Sequence, residues 1–435
     1  MRLDNIHIRN FRGFEDLVVD LNPQFNLVIG DNGAGKTSFL DACSGILQTF
    51  IEEVTSPDRI SVKSLNNYDI RIKTIDGQPR LQFPHIVDAK GIVNDKYLNW
   101  YLYAEEASEL KFEYPIENLK ELVKKMVVKS RSGDKVVFPL LSYYTTARLL
   151  YLYKEEHIGQ DVEYFRQIEG IIAGYERHVS AHTNSRTFLS WYKTYEDEIR
   201  KFDKKEDKIF LNVFNSTISS FVKEWTDMAY SFKTDELIGF MTNENGEKQY
   251  LSFNQLSDGY RNVIGMVADM VYRCIQLNPH LKENVVKETE GVVLIDELDL
   301  HLHPNWQRRI VADLKRVFPK IQFIATSHSP FIIQSLKKEE LINLDNNNTK
   351  PEEDPFKQSI EDVAEDIMQV EGMPRSNEFN EMIKVAEEYY GLLKQGKNGT
   401  EVANLRQRLT QLEARYSNDA AFVALLKAER ETKKL

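Results

Sequence analysis

Gly30-Asp31-Asn32-Gly33-Ala34-Gly35-Lys36-Thr37 decides the fold of this 435-residue chain. The stretch is a full G-x-x-x-x-G-K-[ST] match. It lies between a short apolar run, Phe25–Ile29, and a helically spaced pattern of Phe39, Leu40, Cys43, Ile46, Leu47, Phe50 and Ile51. Glycines let such a turn fold around an anion so that backbone N–H groups and the helix N-terminus face it. In this reading Asn32, Gly33, Ala34, Gly35, Lys36, Thr37 and Ser38 cradle the phosphates of ATP. Lys36 reaches the β and γ oxygens, and Thr37 gives its oxygen to Mg²⁺. The bland alternative is a Gly-rich strand-to-helix turn, but a full match in this context arises rarely by chance.

Far downstream, Val292-Val293-Leu294-Ile295 runs into Asp296 and Glu297. Alone this is any buried strand meeting a polar loop. Beside a phosphate loop it becomes specific: Asp296 would hold the Mg²⁺ shell through water, and Glu297 would orient and deprotonate the attacking water.

The rest of the pattern builds an α/β fold around these two strand ends. Strand-like runs at 3–8, 17–21, 25–29, 70–74, 81–86 and 97–103 surround one helix. Helical periodicity dominates 116–225, interrupted by the apolar run 136–144, which reads as a buried central strand. Asn245 and Gly246 have hairpin chemistry. A helix at 257–277, a strand at 292–295, a helix at 305–318 and a strand at 321–326 follow, so the sheet is expected to be mixed with a parallel core. Asn346, Asn347, Asn348 and Pro351 mark a loop, and 360–435 reads as three or four amphipathic helices. The expected division is an ATPase lobe with the phosphate loop at 1–104, an inserted mainly helical subdomain at 105–235, a second ATPase lobe at 236–345 and a C-terminal helical partner-binding region at 352–435.

Composition narrows the class. Lys plus Arg number 56 and Asp plus Glu 67, a net charge of −11. Twelve acidic residues against Lys357, Arg375 and Lys384 put −9 of this between residues 352 and 388. The body is close to neutral, so long-range attraction to nucleic acid is not its dominant feature. No run of 18 apolar residues occurs, and the first ten residues lack the layout of a secretory signal, so a cytoplasmic protein without a membrane span is expected. Cys43 and Cys274 are too few for a disulfide framework or a Cys-based zinc site.

Leu256-Ser257-Asp258-Gly259-Tyr260-Arg261 opens the helix upstream of the carboxylate pair, and here the chain resembles the ABC-type ATPases. Their signature usually reads Leu-Ser-Gly-Gly-Gln at this place; Asp258 and Tyr260 depart from it, while Ser257 and Gly259 remain. The resemblance implies that Ser257 and Gly259 address the γ-phosphate bound by another protomer, in a homodimer or higher homo-oligomer that sandwiches ATP. It also implies that Asp299 lies in the loop that contacts the dimer partner and that His328 is the γ-phosphate-sensing switch. Gln48, Gln78 and Gln82 all qualify by position for the glutamine loop. His301 and His303 alternate along one side of an extended segment, but no further ligand set accompanies them, so a zinc site is not expected.

More narrowly, the chain from 1 to about 336 resembles ATP-binding proteins related to RecF, SMC and the overcoming-lysogenization ATPases, a group that includes the ATPase subunits of Septu systems and Septu-linked retrons. The motifs are Asn10-Phe11-Arg12-Gly13-Phe14, the phosphate loop, Ser142-Tyr143-Tyr144 with Ala147-Arg148, the signature segment, the Asp-Glu strand with its His-x-His-Pro tail, and Thr326-Ser327-His328-Ser329-Pro330. The resemblance implies an ATPase using ATP and Mg²⁺ that controls a separate nuclease, HNH-type, in phage defence; no Glu followed by an Asp-x-Asp strand is read after His328, so a fused nuclease domain is not expected. The alternative is a RecF-like DNA-binding ATPase in repair. DNA or reverse-transcribed nucleic acid stays open as a partner. Lys120, Lys124, Lys125, Lys129 and Arg131 form a basic face that reads first as solvated surface. The C-terminal stripe of Leu405, Leu409, Leu412, Tyr416, Phe422, Leu425 and Leu426, beside the acidic block, is expected to dock the partner, the alternative being that it packs against the chain's own ATPase body.

Overall fold

The computed structural model describes residues 1–55, 67–105, 117–146, 171–175, 184–202, 208–231, 233–234, 236–242, 246–345, 350–370, 377–396 and 399–415. Ala147, Arg148, Asn245, Asn346, Asn347, Asn348, Tyr416, Phe422, Leu425 and Leu426 lie outside these residues.

The strands sort by their apolar pattern. Those that alternate are β1 (Arg2–Phe11) and β2 (Phe14–Asp20), joined later by β6 (His85–Val93) and β7 (Lys96–Ala104). They form an antiparallel sheet in the order β2-β1-β6-β7. Those that are continuously apolar are β3 (Phe25–Ile29), β8 (Leu140–Tyr144), β12 (Gly291–Ile295), β13 (Ile321–Thr326) and β14 (Leu341–Asn343), and all their residues are buried. They make a five-stranded sheet in the order β14-β3-β13-β12-β8 with every neighbouring pair parallel. The parallel core is therefore a sheet of its own, and the antiparallel strands stand apart from it. Runs without polar alternation suit strands covered on both faces.

Helix α1 (Lys36–Thr55) follows β3 directly, and Trp100 of β7 donates its indole N–H to the Ile46 carbonyl of α1 (3.4 Å), tying the antiparallel sheet to it. Among the described residues, the other α-helices of five residues or more in this body are α2 (Glu117–Arg131), α3 (Ile171–Tyr175), α4 (Asn184–Phe202), α5 (Lys208–Phe221), α6 (Asp258–Leu277) and α7 (Ile310–Val317). Two small antiparallel ribbons complete it: β4 (Ile72–Ile75) with β5 (Gln78–Leu81), and β9 (Trp225–Ser231), β10 (Glu236–Thr242) and β11 (Lys248–Ser252). Gly246, at φ +80°, lies between β10 and β11 as the hairpin chemistry requires.

Three expectations need correction. The run at 136–144 is not a central strand: β8 covers only Leu140–Tyr144 and stands at the end of the sheet order, paired on one side with β12. Its burial comes from helices; Tyr175 of α3 donates its hydroxyl to the Pro139 carbonyl (2.8 Å), and Tyr144 reaches α6. The run at 81–86 straddles two elements, because β5 turns back on β4 at Asp76-Gly77 (φ 51° and 75°) and β6 starts afresh at His85 against β1. The helix at 305–318 is broken into Pro304–Gln307 and α7, with Arg309 capping the second piece.

The chain divides into two compact units, Met1–Gln358 and Ser359–Leu435. In the second, α8 (Asn377–Lys394) packs on α9 (Thr400–Arg415) through Phe379, Met382, Ala386 and Tyr390 against Leu409 and Leu412, flanked by Arg408 to Glu381 at 2.6 Å. Leu409 and Leu412 were expected to present a docking stripe. They are each 2% exposed and are spent inside this helix pair. Two amphipathic helices joined by a short connection bury their stripes against each other before they can offer them to a partner.

Candidate functional site

Parallel strands send their C-terminal ends to one edge of a sheet, and the adjacent order β3-β13-β12 brings three motifs to that edge. The loop after β3 is shaped by positive φ at Gly33 (+94°) and Gly35 (+96°). A Cβ at Gly35 would lie 2.7 Å from Cζ of Phe14, so the Asn10–Phe14 motif packs against the loop, and any residue but glycine would have to move that ring and hold the positive φ. Arg12 fixes that segment: Nη1 donates to Asp41 Oδ2 of α1 (2.6 Å), and Nε and Nη2 donate to Asp69 Oδ1 (2.9 and 2.7 Å).

Lys36 donates from Nζ to the Gly30 and Asp31 carbonyls at 2.8 and 2.9 Å, curling its amine over the loop. Burial lowers its pKa despite the carboxylates of Asp345, Asp296, Asp31 and Glu297 around it. Thr37 donates from Oγ1 to Asp296 Oδ2 at 3.0 Å. Two hard oxygen donors at this spacing, with a lysine amine nearby, fit Mg²⁺ and a phosphate chain. Asn32, Ala34 and Ser38 sit with them, as the half-exposed or exposed wall of the loop and the first turn of α1.

At the end of β12 one hydroxyl holds the Asp296 carboxylate and the Glu297 backbone. Thr326 of β13 donates from Oγ1 to Asp296 Oδ1 (2.7 Å) and accepts the Glu297 N–H (2.8 Å). Asp296 N–H donates to the Tyr144 carbonyl (2.8 Å), and Glu297 takes a left-handed φ of 49° that turns the chain out of the strand. Glu297 is half-buried. His328 is exposed between the buried Ser327 and Ser329, two residues beyond the end of β13.

Ser257 and Gly259 lie elsewhere. Ser257 is exposed at the N-cap of α6 and makes no side-chain cap bond. The start of this helix is held to the segment after Glu297: Asn262 Nδ2 donates to the Leu300 carbonyl (2.7 Å), Tyr260 meets Trp306 edge-on at 5.6 Å, and a Cβ at Gly259 would lie 2.8 Å from the His301 carbonyl. That segment carries the half-buried Asp299. It is tied onward to the segment that carries His328, since Gln307 Nε2 donates to the Leu302 carbonyl (2.8 Å) and Gln307 Oε1 accepts from Ser329 Oγ (2.7 Å). His303 Nδ1 accepts from Asn305 N–H (3.3 Å) as the N-cap of a short turn, which accounts for one of the two alternating histidines.

Of the three glutamines, Gln48 is turned into the core of α1, 3% exposed. Gln78 is exposed on β5, and Gln82 donates to the Arg80 carbonyl (3.0 Å). On the basic helix, Lys120 pairs with Glu53 at 3.2 Å and Lys125 with Glu121 at 2.5 Å.

Sequence reasoning missed three residues of the site: Thr326 as the bridge, Tyr144 as the carbonyl behind Asp296, and Asp345, whose Oδ2 accepts the Asp31 N–H (2.7 Å). Thr326 and Tyr144 stood in quoted motifs. Asp345 carried no signal, because its contact spans 314 residues.

Among known proteins, the chain is 28% identical to the Retron Vc95 probable ATPase of Vibrio cholerae serotype O1 biovar El Tor, over 91% of this chain and 84% of the relative. It is 25% identical to the Retron Ec83 probable ATPase of Escherichia coli, over 93% of this chain and 82% of the relative. It is likewise 25% identical to the Septu protein PtuA of Bacillus thuringiensis, over 79% and 75% respectively. Residues 25–334, well over half of the chain and spanning every motif from the phosphate loop to His328, match the family described as AAA domain, putative AbiEii toxin, Type IV TA system, and the chain belongs to that family.

Proposed function

We propose that this chain is the ATP-binding and ATP-hydrolysing subunit of an anti-phage defence complex, a dimeric switch that controls a separate HNH-type nuclease. The observation that carries the ATPase reading is the Thr37 to Asp296 contact, which joins the phosphate loop to the Asp-Glu strand end. The retron and Septu names of relatives that match most of the chain support the defence setting.

Lys36 exchanges the Gly30 and Asp31 carbonyls for β and γ oxygens, with loop N–H groups from Asn32 to Ser38 taking the remaining charge. Thr37 and Asp296 would hold Mg²⁺, which when bound would neutralise charge developing on the phosphates. Thr326 occupies Asp296 Oδ1 and so leaves Oδ2 facing Thr37. The same hydroxyl fixes the backbone of Glu297, whose carboxylate accepts the proton of the attacking water. His328 contacts the γ-phosphate from the end of β13. Ser257 and Gly259, exposed or half-exposed on α6, complete the phosphate site of a second copy. ATP therefore favours the closed dimer by contacts that only that state makes, and hydrolysis reopens it.

The setting is the cytoplasm; among the described residues no helix is long and apolar enough to cross a membrane. The competing reading, a RecF-like DNA-binding ATPase in repair, is disfavoured by retron relatives that match nine-tenths of the chain. The test is to co-express the chain with a candidate HNH-type nuclease and measure DNA cleavage. Cleavage that differs between Lys36→Ala and Glu297→Gln complexes supports the switch. Equal cleavage by both and by the unmodified complex overturns it.

A further inference from the structure

Behind the carboxylate pair lies a polar chain that the proposed chemistry does not use. Tyr144, the last residue of β8, faces two ways. Its carbonyl accepts the Asp296 N–H at 2.8 Å, and its hydroxyl donates to Asp269 Oδ2 of α6 at 2.7 Å. The same Asp269 oxygen accepts from Arg273 Nε at 2.7 Å, and Arg273 Nη1 donates to the Gly174 carbonyl of α3 at 2.9 Å. Asp269 and Arg273 have no exposed surface, and Tyr144 is 1% exposed. Three elements therefore cross at one buried point: the strand beside Asp296, the helix that starts at Ser257, and a helix of the inserted region.

As a stabilising device such a pair is poor, because desolvating two charges offsets most of their attraction. What it supplies is direction. One oxygen takes both the tyrosine hydroxyl and the guanidinium, so α6 can neither slide nor rotate against β8 without straining both bonds. Asp269 lies twelve residues after Ser257, about 18 Å along a continuous helix at 1.5 Å per residue. A helix of this length moves as a rod, so a displacement of Ser257 is delivered at Asp269.

We propose that Tyr144, Asp269 and Arg273 are positioning residues that couple the signature end of α6 to the Mg²⁺-holding carboxylate, so that engagement of Ser257 with a γ-phosphate sets Asp296 for turnover. This rests on the ATPase reading above and deepens it. Tyr144 keeps Asp296 in register through its own backbone, and its hydroxyl makes that register depend on α6. None of the three touches ATP, so their effect belongs in kcat and not in nucleotide affinity.

The test uses Tyr144→Phe, which keeps the ring and removes only the hydroxyl, in the full chain. Tyr192→Phe is the control: its buried hydroxyl donates to the Met228 carbonyl at 2.8 Å, away from the site. Misplacement of a reacting group by a fraction of an ångström to 1 Å predicts a kcat loss of about tenfold or more, with the ATP dissociation constant little changed. Tyr192→Phe should keep wild-type kcat even if its melting temperature falls equally. In a cycle with Ser257→Ala, the two kcat losses should be strongly non-additive, which a merely structural role would not produce. Wild-type kcat in Tyr144→Phe, or additive losses in the cycle, overturns the coupling alone. A wild-type protein that hydrolyses no ATP overturns the ATPase reading and the coupling with it.

Discussion

Thr37 donates from Oγ1 to Asp296 Oδ2 at 3.0 Å, across 259 residues of chain, and this single bond joins the two halves of the candidate site. It places a hydroxyl and a carboxylate oxygen where one small hard cation can take both. Asp296→Asn keeps the size of the side chain and removes the charge that such a cation needs. We expect this variant to bind ATP in the presence of EDTA as the wild type does, but to lose the extra affinity that Mg²⁺ confers. Titration of a fluorescent ATP analogue with and without Mg²⁺ reads this out; an unchanged Mg²⁺ effect would remove Asp296 from the metal site.

Glu297→Gln separates binding from chemistry. Its backbone N–H still reaches Thr326, so the strand end keeps its shape. Loss of a general base costs roughly 10²- to 10⁴-fold in rate. Turnover should fall by that order while ATP stays bound, and steady-state phosphate release is the measurement. Hydrolysis at the wild-type rate would mean that another group serves as base.

Lys36 is expected to tie ATP binding to pH. Its pKa is lowered by burial, so it loses its proton at a lower pH than a surface lysine. Binding needs the cation, so affinity should be full below that pKa and decline as pH rises through it. Folding has the opposite sign. Between the lowered folded pKa and the ordinary lysine value the unfolded chain holds more protons, so this group's contribution to stability rises with pH there. Lys36→Arg keeps its charge throughout, and its dissociation constant should stay flat between neutral and alkaline pH where the wild type weakens. Parallel pH profiles for the two would refute the assignment.

Gly35→Ala tests the loop itself. The left-handed backbone costs a non-glycine residue roughly 1–2 kcal/mol. The added Cβ would also lie 2.7 Å from Phe14 Cζ. We expect ATP affinity to drop at least about tenfold from that strain, with far-UV circular dichroism unchanged. Phe14→Ala in the same chain should recover only part of the loss, because it relieves the contact and not the backbone. Full ATP affinity in Gly35→Ala would contradict the loop geometry.

What was legible in the sequence was local. Phe25–Ile29, the Gly-rich turn and α1 were read from adjacent residues, as were the apolar run ending at Asp296 and the Ser257 helix start, because pattern and turn chemistry act over a few positions. What was not legible was which strand lies beside which. An apolar run such as 136–144 announces burial but not its cause, and helices bury the edge strand β8 as thoroughly as neighbouring strands bury β3. The same limit hid Thr326 as the bridge between Asp296 and Glu297 and Asp345 as the acceptor for Asp31, since both depend on strand order set by the whole chain. Leu409 and Leu412 show the converse: an amphipathic stripe states that a helix has a partner, and here the partner was the preceding helix.

In the proposed assembly, Lys36, Thr37, Asp296 and Glu297 of one copy hydrolyse ATP only with Ser257 and Gly259 of another. The direct measurement is ATP turnover by a mixed assembly of Lys36→Ala and Ser257→Phe chains, carrying different tags and purified through both. Each variant alone should be inactive. In the mixed assembly one site combines an intact phosphate loop with an intact signature helix, so turnover should return. No turnover there, beside an active doubly tagged wild type, or wild-type turnover by Ser257→Phe alone, would contradict the shared site.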